Sequence, residues 1–362
     1  MNIPFQHNLI AQNWASTDEV LITPLSNGLI NETWVVLNKN HKEQLLLQKV
    51  NTAIFKDPEL ISNNHLLLWN EWNKQKDKLN FQLAKPLPFS NGSFIYYDQS
   101  GVAWRLQEYF STAVTHTQSI SIEQLYETAF SFGQFNDFLW KISPATIQSP
   151  LARFHDLTFR FWQFNQALQS ATNPTRIHKA KGLIDKAIAK KRYVEQFDQL
   201  AANPNHFPKR ILHHDAKIAN LLFEKDQLKV YAIIDLDTVM PGYFFSDLGD
   251  MIRSMGSIAN ENETNFEIVS INPTHYKALL EGYLKAVKKS LTPEELKWIH
   301  SSGIWIIYMQ ALRFLSDYLQ NDTYYKTNYQ EHNFDRALNQ FTLLESLEKI
   351  LLQVYHYEHV VN

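Results

Sequence analysis

The sequence predicts an α+β protein with two lobes, a small antiparallel β-sheet lobe followed by a larger, mainly helical lobe. The chain has 362 residues, which is more than one hydrophobic core usually organises. Its first hundred or so residues contain short β-branched and aromatic runs between turn formers, and from about residue 122 the apolar residues take helical spacing. We therefore predict an N-terminal lobe over 1–107 and a C-terminal lobe over 108–362.

Composition excludes several classes of protein. Hydrophobic residues make up 44% and charged residues 20%, which is typical of a globular protein. The net charge of −3 is too balanced for a nucleic-acid binder with a broad basic surface, and the absence of cysteine excludes a disulfide scaffold, a thiolate nucleophile and a sulfur-based zinc site. With no apolar run suited to a signal peptide or a membrane span, we expect a soluble, cytoplasmic protein without a nucleic-acid or membrane partner.

In the first lobe, strands are predicted from short apolar runs that end at turn formers such as Ser26-Asn27-Gly28. A helix is predicted over 58–78, behind the N-cap Asp57. Strands are predicted at 19–22, 33–37, 45–48, 93–97 and 102–106.

The second lobe is predicted to be helical except for one hairpin. Helices are predicted over 122–141, 151–170, 176–200, 273–289, 293–320 and 333–355. The hairpin has strands at 220–223 and 228–234 around the polar turn 224–227. The apolar stripe of the last helix is best explained as core packing.

The chemically informative residues surround this hairpin. Asp215 follows two histidines, Asn220 comes five positions later, and Asp235 ends the next apolar strand. Phosphoryl transfer needs a carboxylate at the substrate hydroxyl and oxygen ligands for Mg²⁺. A hairpin brings Asn220 and Asp235 to the same end, so we predict that they bind the metal while Asp215 acts as the base. Lys217 is predicted to reach the γ-phosphate as a point charge.

Each of these residues also has a structural explanation. Asp215 or Asp235 alone would more often cap a turn, and it is the joint pattern behind a β-rich lobe that favours chemistry. A histidine metal site at His213 and His214 is disfavoured because no third ligand follows at a suitable spacing. Further on, Asp247 is predicted to support the catalytic loop, and Asp250 and Arg253 to pair on a helix.

The sequence resembles the aminoglycoside phosphotransferase and choline kinase superfamily, which shares the protein-kinase-like fold. The resemblance rests on H-H-D-A-K-I-A-N (213–220), I-I-D-L-D-T-V-M-P-G (233–242) and D-L-G-D-M-I-R (247–253). Within that superfamily the chain is similar to the N-acetylhexosamine 1-kinase subgroup over nearly its whole length. Segments that carry this similarity include L-S-N-G-L-I-N-E-T-W-V-V (25–36), R-F-H-D-L-T-F-R (153–160) and L-R-F-L-S-D-Y-L-Q-N-D-T-Y-Y-K (312–326).

The resemblance implies a role for each part of the site. It makes Asp215 the catalytic base and Asn220 and Asp235 the Mg²⁺ ligands. The turn over the ATP phosphates would be formed by Gly28, Asn31 and Thr33. The hinge at residues 107–110, with Glu108 and Phe110, would contact adenine.

Two departures from the family pattern leave one role open. The phosphate turn has a single glycine, so backbone donors must replace a glycine-rich flap. Where kinases carry a phosphate-binding lysine on the third strand, this chain has Gln48 and Lys49, which strand alternation places on opposite faces. The family pattern favours Gln48 and chemistry favours Lys49. The acidic partner of this position is also open, with Glu71 as a weak candidate.

The acceptor substrate is predicted from the resemblance, since a fold does not set a substrate. The resemblance assigns sugar contacts to His214, Arg313, Asp317, Tyr318 and Tyr325, although most surface aspartates and tyrosines have no such role. The mixture of Arg and Asp suits a neutral hydroxylated substrate better than a cationic aminoglycoside. The leading hypothesis is ATP-dependent phosphorylation of the anomeric hydroxyl of an N-acetylhexosamine or a related hexose.

Three alternatives compete with this hypothesis. The nearest is a kinase of the same fold that acts on choline or ethanolamine, homoserine or an aminoglycoside. A non-catalytic nucleotide-binding module is disfavoured because Asp215, Asn220 and Asp235 are all present. A sulfatase is excluded because Gln148 stands where the Cys or Ser nucleophile should precede Pro150.

Overall fold

The structure is a computed structural model that describes residues 20–25, 31–38, 44–117 and 121–360. It contains two compact units. Unit 1 comprises Met1–Thr115, Ile147–Leu151 and Leu221–Val239, and unit 2 comprises His116–Thr146, Ala152–Asn220 and Met240–Asn362. Neither unit is one continuous segment, because the hairpin after Asn220 pairs with strands of unit 1. The lobe boundary at 107/108 stays a prediction.

The main sheet of unit 1 is antiparallel in the described part of the chain, with strand order β1-β2-β3-β7-β5 and β6 beside β7. Its apolar face buries Trp34, Leu45, Leu47 and Trp104, whereas Thr33, Gln48 and Arg105 lie in register on the opposite face. Its strands are β1 (Val20–Leu25), β2 (Glu32–Asn38), β3 (Gln44–Lys49), β5 (Pro86–Leu87), β6 (Tyr96–Tyr97) and β7 (Ala103–Glu108).

A helix and a second sheet complete unit 1. Helix α1 (Pro58–Asn73) begins at Asp57, whose carboxylate accepts the Leu60 N–H, and a 3-10 turn follows at Lys76–Lys78. The second sheet has the order β4-β11-β10-β8. The predicted hairpin is confirmed, because β10 pairs with β11 in antiparallel register. These strands are β4 (Gln82–Leu83), β8 (Ala113–Val114), β10 (Leu221–Glu224) and β11 (Val230–Ile233).

Unit 2 is mainly helical in its described part. A two-stranded sheet pairs β9 (Arg210–Leu212) with β12 (Met240–Gly242). The helices are α2 (Ile122–Leu139), α3 (Leu157–Ser170), α4 (Pro174–Ala189), α5 (Arg192–Ala201), α6 (Phe245–Met255), α7 (Pro273–Val287), α8 (Pro293–Lys297), α9 (Ser301–Leu319) and α10 (His332–Tyr355).

The predicted helices are confirmed with three corrections. The helix predicted over 151–170 begins only at Leu157, after the N-cap Asp156. The segments 176–200 and 293–320 each contain two helices, because the helical hydrogen-bond pattern ends at Ala189 and at Lys297 and restarts a few residues later. Helix α9 is buried along almost its whole length and forms the centre of unit 2. None of the helices in the described ranges combines the length and the apolar character that crossing a membrane requires.

Candidate active site

The loop between β9 and the 3-10 turn Ile218–Asn220 carries the predicted base, Asp215. The buried carboxylate of Asp247, in the first turn of α6, accepts the backbone N–H groups of His213 at 2.9 Å and of His214 at 2.7 Å. His214 has a φ of +64°, a left-handed conformation that is uncommon outside glycine. The predicted support of this loop by Asp247 is therefore confirmed, and it holds a strained backbone next to Asp215.

The Asp215 carboxylate is held by two neighbours from its own loop. Lys217 Nζ donates to Oδ2 at 2.7 Å, and Asn220 Nδ2 donates to the same oxygen and to the Asp215 carbonyl, both at 2.8 Å. Burial raises the pKa of Asp215, but the Lys217 charge and hydrogen bond, with His213 and Asn220, hold its pKa below the usual aspartate value. The carboxylate is therefore ionised at neutral pH.

Asp215 opens on a cavity of about 170 Å³ that is built entirely from unit 2. Of the predicted acceptor residues, the structure brings His214, Arg313 and Tyr325 to this cavity together with Asp215. The complete lining is Phe154, His155, His214, Asp215, Asp250, Arg253, Ile306, Met309, Gln310, Arg313 and Tyr325.

The charges of the cavity are unevenly compensated. Both carboxylates have cationic partners, since Asp215 pairs with Lys217 and Asp250 with Arg253 at 3.1 Å, as the three-residue spacing predicts. Arg313 instead donates to the neutral Gln310 at 3.0 Å and lies over the Phe154 and Tyr325 rings. Within the described residues, Arg313 has no carboxylate at ion-pair distance. The cavity therefore offers a guanidinium to a ligand, while its carboxylates are already neutralised.

Asp317 and Tyr318 do not line this cavity, unlike the other predicted acceptor residues. The buried Asp317 carboxylate accepts the backbone N–H groups of Tyr324 and Tyr325 at 2.7 and 2.8 Å, and Asn333 Nδ2 at 2.9 Å. The Tyr318 hydroxyl donates to Glu331 at 2.7 Å. The chain folds back over the end of α9, so Asp317 positions Tyr325 from behind.

In unit 1, three of the predicted nucleotide residues, Asn31, Thr33 and Gln48, belong to one polar network. Gln48 Nε2 donates to Thr33 Oγ1 at 3.2 Å, and Gln48 Oε1 accepts Arg105 Nε at 2.9 Å. Arg105 then donates to both oxygens of Asp237, at 2.5 and 2.9 Å, and Asn31 Nδ2 donates to Asp237 Oδ2 at 2.9 Å. The bidentate geometry satisfies both buried charges.

The structure places Gln48 and Lys49 on opposite faces of the sheet, as strand alternation predicts. Gln48 lies on the face that carries Arg105, whereas Lys49 lies on the other face and pairs with Glu32. The weak candidate Glu71 pairs with Lys74 on the surface of α1. The cation on the Gln48 face is Arg105 and its acid is Asp237, both of which the sequence analysis missed. An arginine inside the apolar strand 102–106 was the available signal.

The remaining predicted residues have the following placements. Glu108 is exposed and its Oε2 accepts the Lys85 N–H at 3.2 Å, while the Phe110 ring meets Tyr231 edge-on at 5.3 Å. Gly28 lies outside the described residues. Asp235 is exposed, has a φ of +59° and falls in unit 1, whereas Asn220 falls in unit 2.

The donor chemistry of Asn220 and Asp235 fits Mg²⁺, although neither belongs to a ready-made metal cluster. Within the described ranges, no group of three or more histidine, aspartate or glutamate side chains is arranged to hold a metal ion. Mg²⁺ characteristically takes one or two protein oxygen ligands and completes its shell with phosphates and water. Because Asn220 donates through its nitrogen, its Oδ1 remains the atom suited to a cation.

Comparison with known proteins gives the family and the fold of the chain. The model of the phosphotransferase enzyme family (APH) matches residues 21–283. A microcompartment-associated aminopropanol kinase has a TM-score of 0.64 at 15% identity, covering 100% of this chain and 99% of its own. An aminoglycoside phosphotransferase from Alicyclobacillus acidocaldarius gives 0.64 at 11% identity, with 96% of both chains covered. A choline kinase from Cryptosporidium parvum gives 0.56 at 13%, with both chains covered fully.

The predicted α+β, protein-kinase-like fold is therefore confirmed. The chain belongs to the phosphotransferase enzyme family.

Proposed function

We propose that this protein is an ATP-dependent kinase that phosphorylates the anomeric hydroxyl of an N-acetylhexosamine or a related hexose. The observation that carries the proposal is an ionised carboxylate, Asp215, at the wall of a cavity that also presents Arg313 and aromatic rings. A hydroxylated ring needs such a combination, because polar groups fix its hydroxyls and aromatic faces cover its apolar side.

In the proposed reaction, Asp215 orients the acceptor hydroxyl and accepts its proton as the oxygen attacks the γ-phosphorus of ATP. The new bond joins that oxygen to phosphorus, and the bond to the β,γ-bridging oxygen breaks to release ADP. Lys217, held at 2.7 Å from Asp215, supplies positive charge beside the transferring group. Positioning and charge stabilisation dominate such a reaction, since it needs little covalent help from the protein.

The metal and nucleotide assignments are part of the same proposal. Asn220 Oδ1 and the Asp235 carboxylate would hold Mg²⁺, which when bound neutralises charge on the phosphate oxygens. Gly28, Asn31 and Thr33 would contact the ATP phosphates, and Glu108 and Phe110 the adenine. On the Gln48 face of the sheet, the Arg105 guanidinium is paired with Asp237 and holds the Gln48 side chain in position.

The charge pattern of the cavity favours a neutral acceptor over a cationic one. An ammonium group would require an unpaired carboxylate, but Asp215 and Asp250 already pair with Lys217 and Arg253. The ammonium group would also be repelled by Arg313, whose hydrogen-bond partner among the described residues is the neutral Gln310. A sugar hydroxyl or amide carbonyl can instead accept a hydrogen bond from that guanidinium.

An acceptor screen tests the proposal. ADP release would be followed with ATP and Mg²⁺ in the presence of N-acetylglucosamine, N-acetylgalactosamine, glucose, choline, ethanolamine, homoserine or kanamycin. We expect turnover with an N-acetylhexosamine, and ³¹P NMR of the product would identify the phosphorylated hydroxyl. Robust turnover of choline without turnover of any sugar would reject the sugar assignment and keep the phosphotransferase class.

Arg313→Lys gives a second test of the acceptor site. The lysine keeps the charge but loses the planar pair of N–H donors, so the KM for the sugar should rise about tenfold, the equivalent of one lost hydrogen bond. The KM for ATP should stay within about twofold, because Arg313 belongs to the cavity of unit 2. Equal changes in both constants would argue against an acceptor role.

A further inference from the structure

His155 lines the cavity beside Asp215 and is joined to the catalytic loop by a chain of hydrogen bonds. His155 Nδ1 lies 2.5 Å from Ser246 Oγ, and the same oxygen lies 2.7 Å from His214 Nδ1. His214 Nε2 in turn lies 3.1 Å from the Met240 carbonyl oxygen. The proposed reaction uses neither His155 nor Ser246.

The carbonyl at one end sets the direction of the whole chain. A carbonyl oxygen only accepts hydrogen bonds, so His214 Nε2 carries a proton and donates a hydrogen bond to the Met240 carbonyl oxygen. Burial lowers the pKa of His214 to about 4, so the ring is neutral and its Nδ1 is an acceptor. The Ser246 hydroxyl therefore donates to His214 Nδ1, and its oxygen accepts the N–H of His155 Nδ1.

The same logic fixes the remaining nitrogen of His155. Burial lowers the pKa of His155 well below the usual histidine value, and nearby His214, Arg313, Arg160 and Arg253 lower it further. A neutral ring whose proton sits on Nδ1 has a bare lone pair on Nε2. The 3.3 Å between the two Nδ1 atoms agrees with one protonated and one bare nitrogen.

The His155 ring is also held in place by its neighbours. It stacks on Phe154 with centroids 4.6 Å apart, and it meets the His214 ring at 5.2 Å with an angle of 64°. A ring fixed on two sides, with one nitrogen bonded, loses little further freedom when the other nitrogen binds a ligand.

We propose that His155 Nε2 is a specificity-determining hydrogen-bond acceptor for the substrate that Asp215 activates. His155 adds a neutral acceptor to the cavity, in which Arg313 is a guanidinium without a carboxylate partner among the described residues. The group that satisfies both is a hydroxyl, which donates to His155 and accepts from an arginine; an amide N–H satisfies His155 alone. The selected substrate is therefore one with a second hydroxyl, or an N-acyl group, near the hydroxyl that reacts. This inference rests on the proposed function.

The tautomer of His155 is tested on the free protein, without any substrate. With ¹⁵N-labelled histidine, NMR should show the His155 proton on Nδ1 and a non-protonated Nε2 at neutral pH, with His155→Asn assigning the signal. Ser246→Ala should weaken this preference. A His155 proton on Nε2 would overturn the proposal even if the sugar kinase activity is found.

The contribution of Nε2 is tested by two substitutions. His155→Asn retains an N–H at the Nδ1 position and removes the acceptor at Nε2, whereas His155→Gln places an amide near the Nε2 position. We expect His155→Asn to lower kcat/KM for N-acetylglucosamine about tenfold, the scale of one hydrogen bond, with the KM for ATP within twofold. His155→Gln should lose less. Equal losses in both variants, or an unchanged kcat/KM in His155→Asn, would reject the role of Nε2.

A matched control and acceptor analogues separate specificity from folding. His178→Asn on α4 changes an exposed histidine outside the cavity and should change no constant. We would measure kcat/KM for N-acetylglucosamine analogues that each lack one hydroxyl. For one analogue, kcat/KM should be about tenfold lower than for N-acetylglucosamine with the wild type, but nearly equal to it with His155→Asn. If only another acceptor of the screen is turned over, the same variants are measured with it. If His155→Asn is still defective with that acceptor, the role of His155 is supported and the sugar assignment is rejected. If His155→Asn is fully active with it, the role of His155 is rejected.

Discussion

The polar network of unit 1 and the cavity of unit 2 use similar residues in opposite ways. In unit 1, the Arg105 guanidinium is bound by both oxygens of Asp237 and by Gln48, so the charges are satisfied within the protein. In unit 2, the protein partner of Arg313 is the neutral Gln310. His155 uses Nδ1 for its hydrogen bond to Ser246, which leaves the lone pair of Nε2 for a ligand. A saturated network stabilises a fixed arrangement, whereas an incomplete one leaves hydrogen-bonding capacity for a ligand. Substitutions in the two regions should therefore affect different measurements.

The largest effect is expected at the base. Asp215→Asn keeps the shape of the side chain but removes proton acceptance, so kcat should fall by roughly 10²–10⁴ while ATP still binds. Steady-state kinetics and a nucleotide-binding assay measure the two quantities. Asp185→Asn, at an exposed position of α4, is the matched control. Near-normal turnover of Asp215→Asn would remove Asp215 from the role of base.

The next effect is on the stability of unit 1. Asp237→Asn leaves the Arg105 charge buried without its anionic partner, and breaking such a pair costs about 3–5 kcal/mol of unfolding free energy. Glu345→Gln, which breaks the half-exposed Lys186 pair, should cost less than about 1 kcal/mol. Denaturant unfolding measures both. Equal losses in the two variants would contradict the contrast between a saturated interior network and a surface pair.

A smaller effect is expected at Gly242, which packs against the His214 ring within unit 2. A Cβ at Gly242 would lie 2.3 Å from His214 Cε1, so Gly242→Ala must displace the ring from the Met240 carbonyl. We expect a loss of about 1–3 kcal/mol from overpacking and a lower kcat/KM for the acceptor. Gly182→Ala is the control, because its Cβ would meet nothing within 4 Å and the exchange should stabilise α4 by about 0.4–1 kcal/mol. Unchanged thermal stability of Gly242→Ala would show that the loop tolerates movement of this ring.

The last effect is a pH dependence shared by the two units, which is absent at neutral pH and grows as the pH falls. Burial lowers the pKa of His65 in unit 1 and of His214 in unit 2 to about 4 from the usual 6.5. Between these values the unfolded chain binds protons that the folded chain does not. The unfolding free energy should therefore fall as the pH falls from 6.5 to 4, by about 1.4 kcal/mol per pH unit for each histidine.

His65→Gln isolates the contribution of unit 1 to this pH dependence, because the amide can still donate to the Ala84 carbonyl that His65 contacts at 2.8 Å. Thermal melts recorded between pH 7 and pH 4 should show a melting temperature that falls less with decreasing pH in this variant than in the wild type. An identical slope would mean that His65 does not remain neutral in the folded protein.

The sequence predicted most of the local structure because period and turn formers are local signals. The hairpin around 224–227 and the cap at Asp57 follow from a few adjacent residues, and so does the pairing of Asp250 with Arg253 on one helix face. The division of 176–200 into two helices was missed because the helical spacing of apolar residues runs through the break.

Contacts between distant segments could not be read from the sequence. Arg105 and Asp237 are 132 positions apart, and His155 and Ser246 are 91 apart, so neither pair has a spacing that reveals it. Asp317 and Tyr318 were expected beside the acceptor from resemblance alone. Their hydrogen bonds depend on how the chain returns over the end of α9, which no local pattern specifies.

The grip of Asp247 on two consecutive backbone amides, at His213 and His214, has a consequence for turnover. The conformational entropy of the catalytic loop is lost once, during folding, and not again each time a nucleotide arrives. A loop preorganised in this way should exchange these two amide protons slowly even in the ligand-free protein.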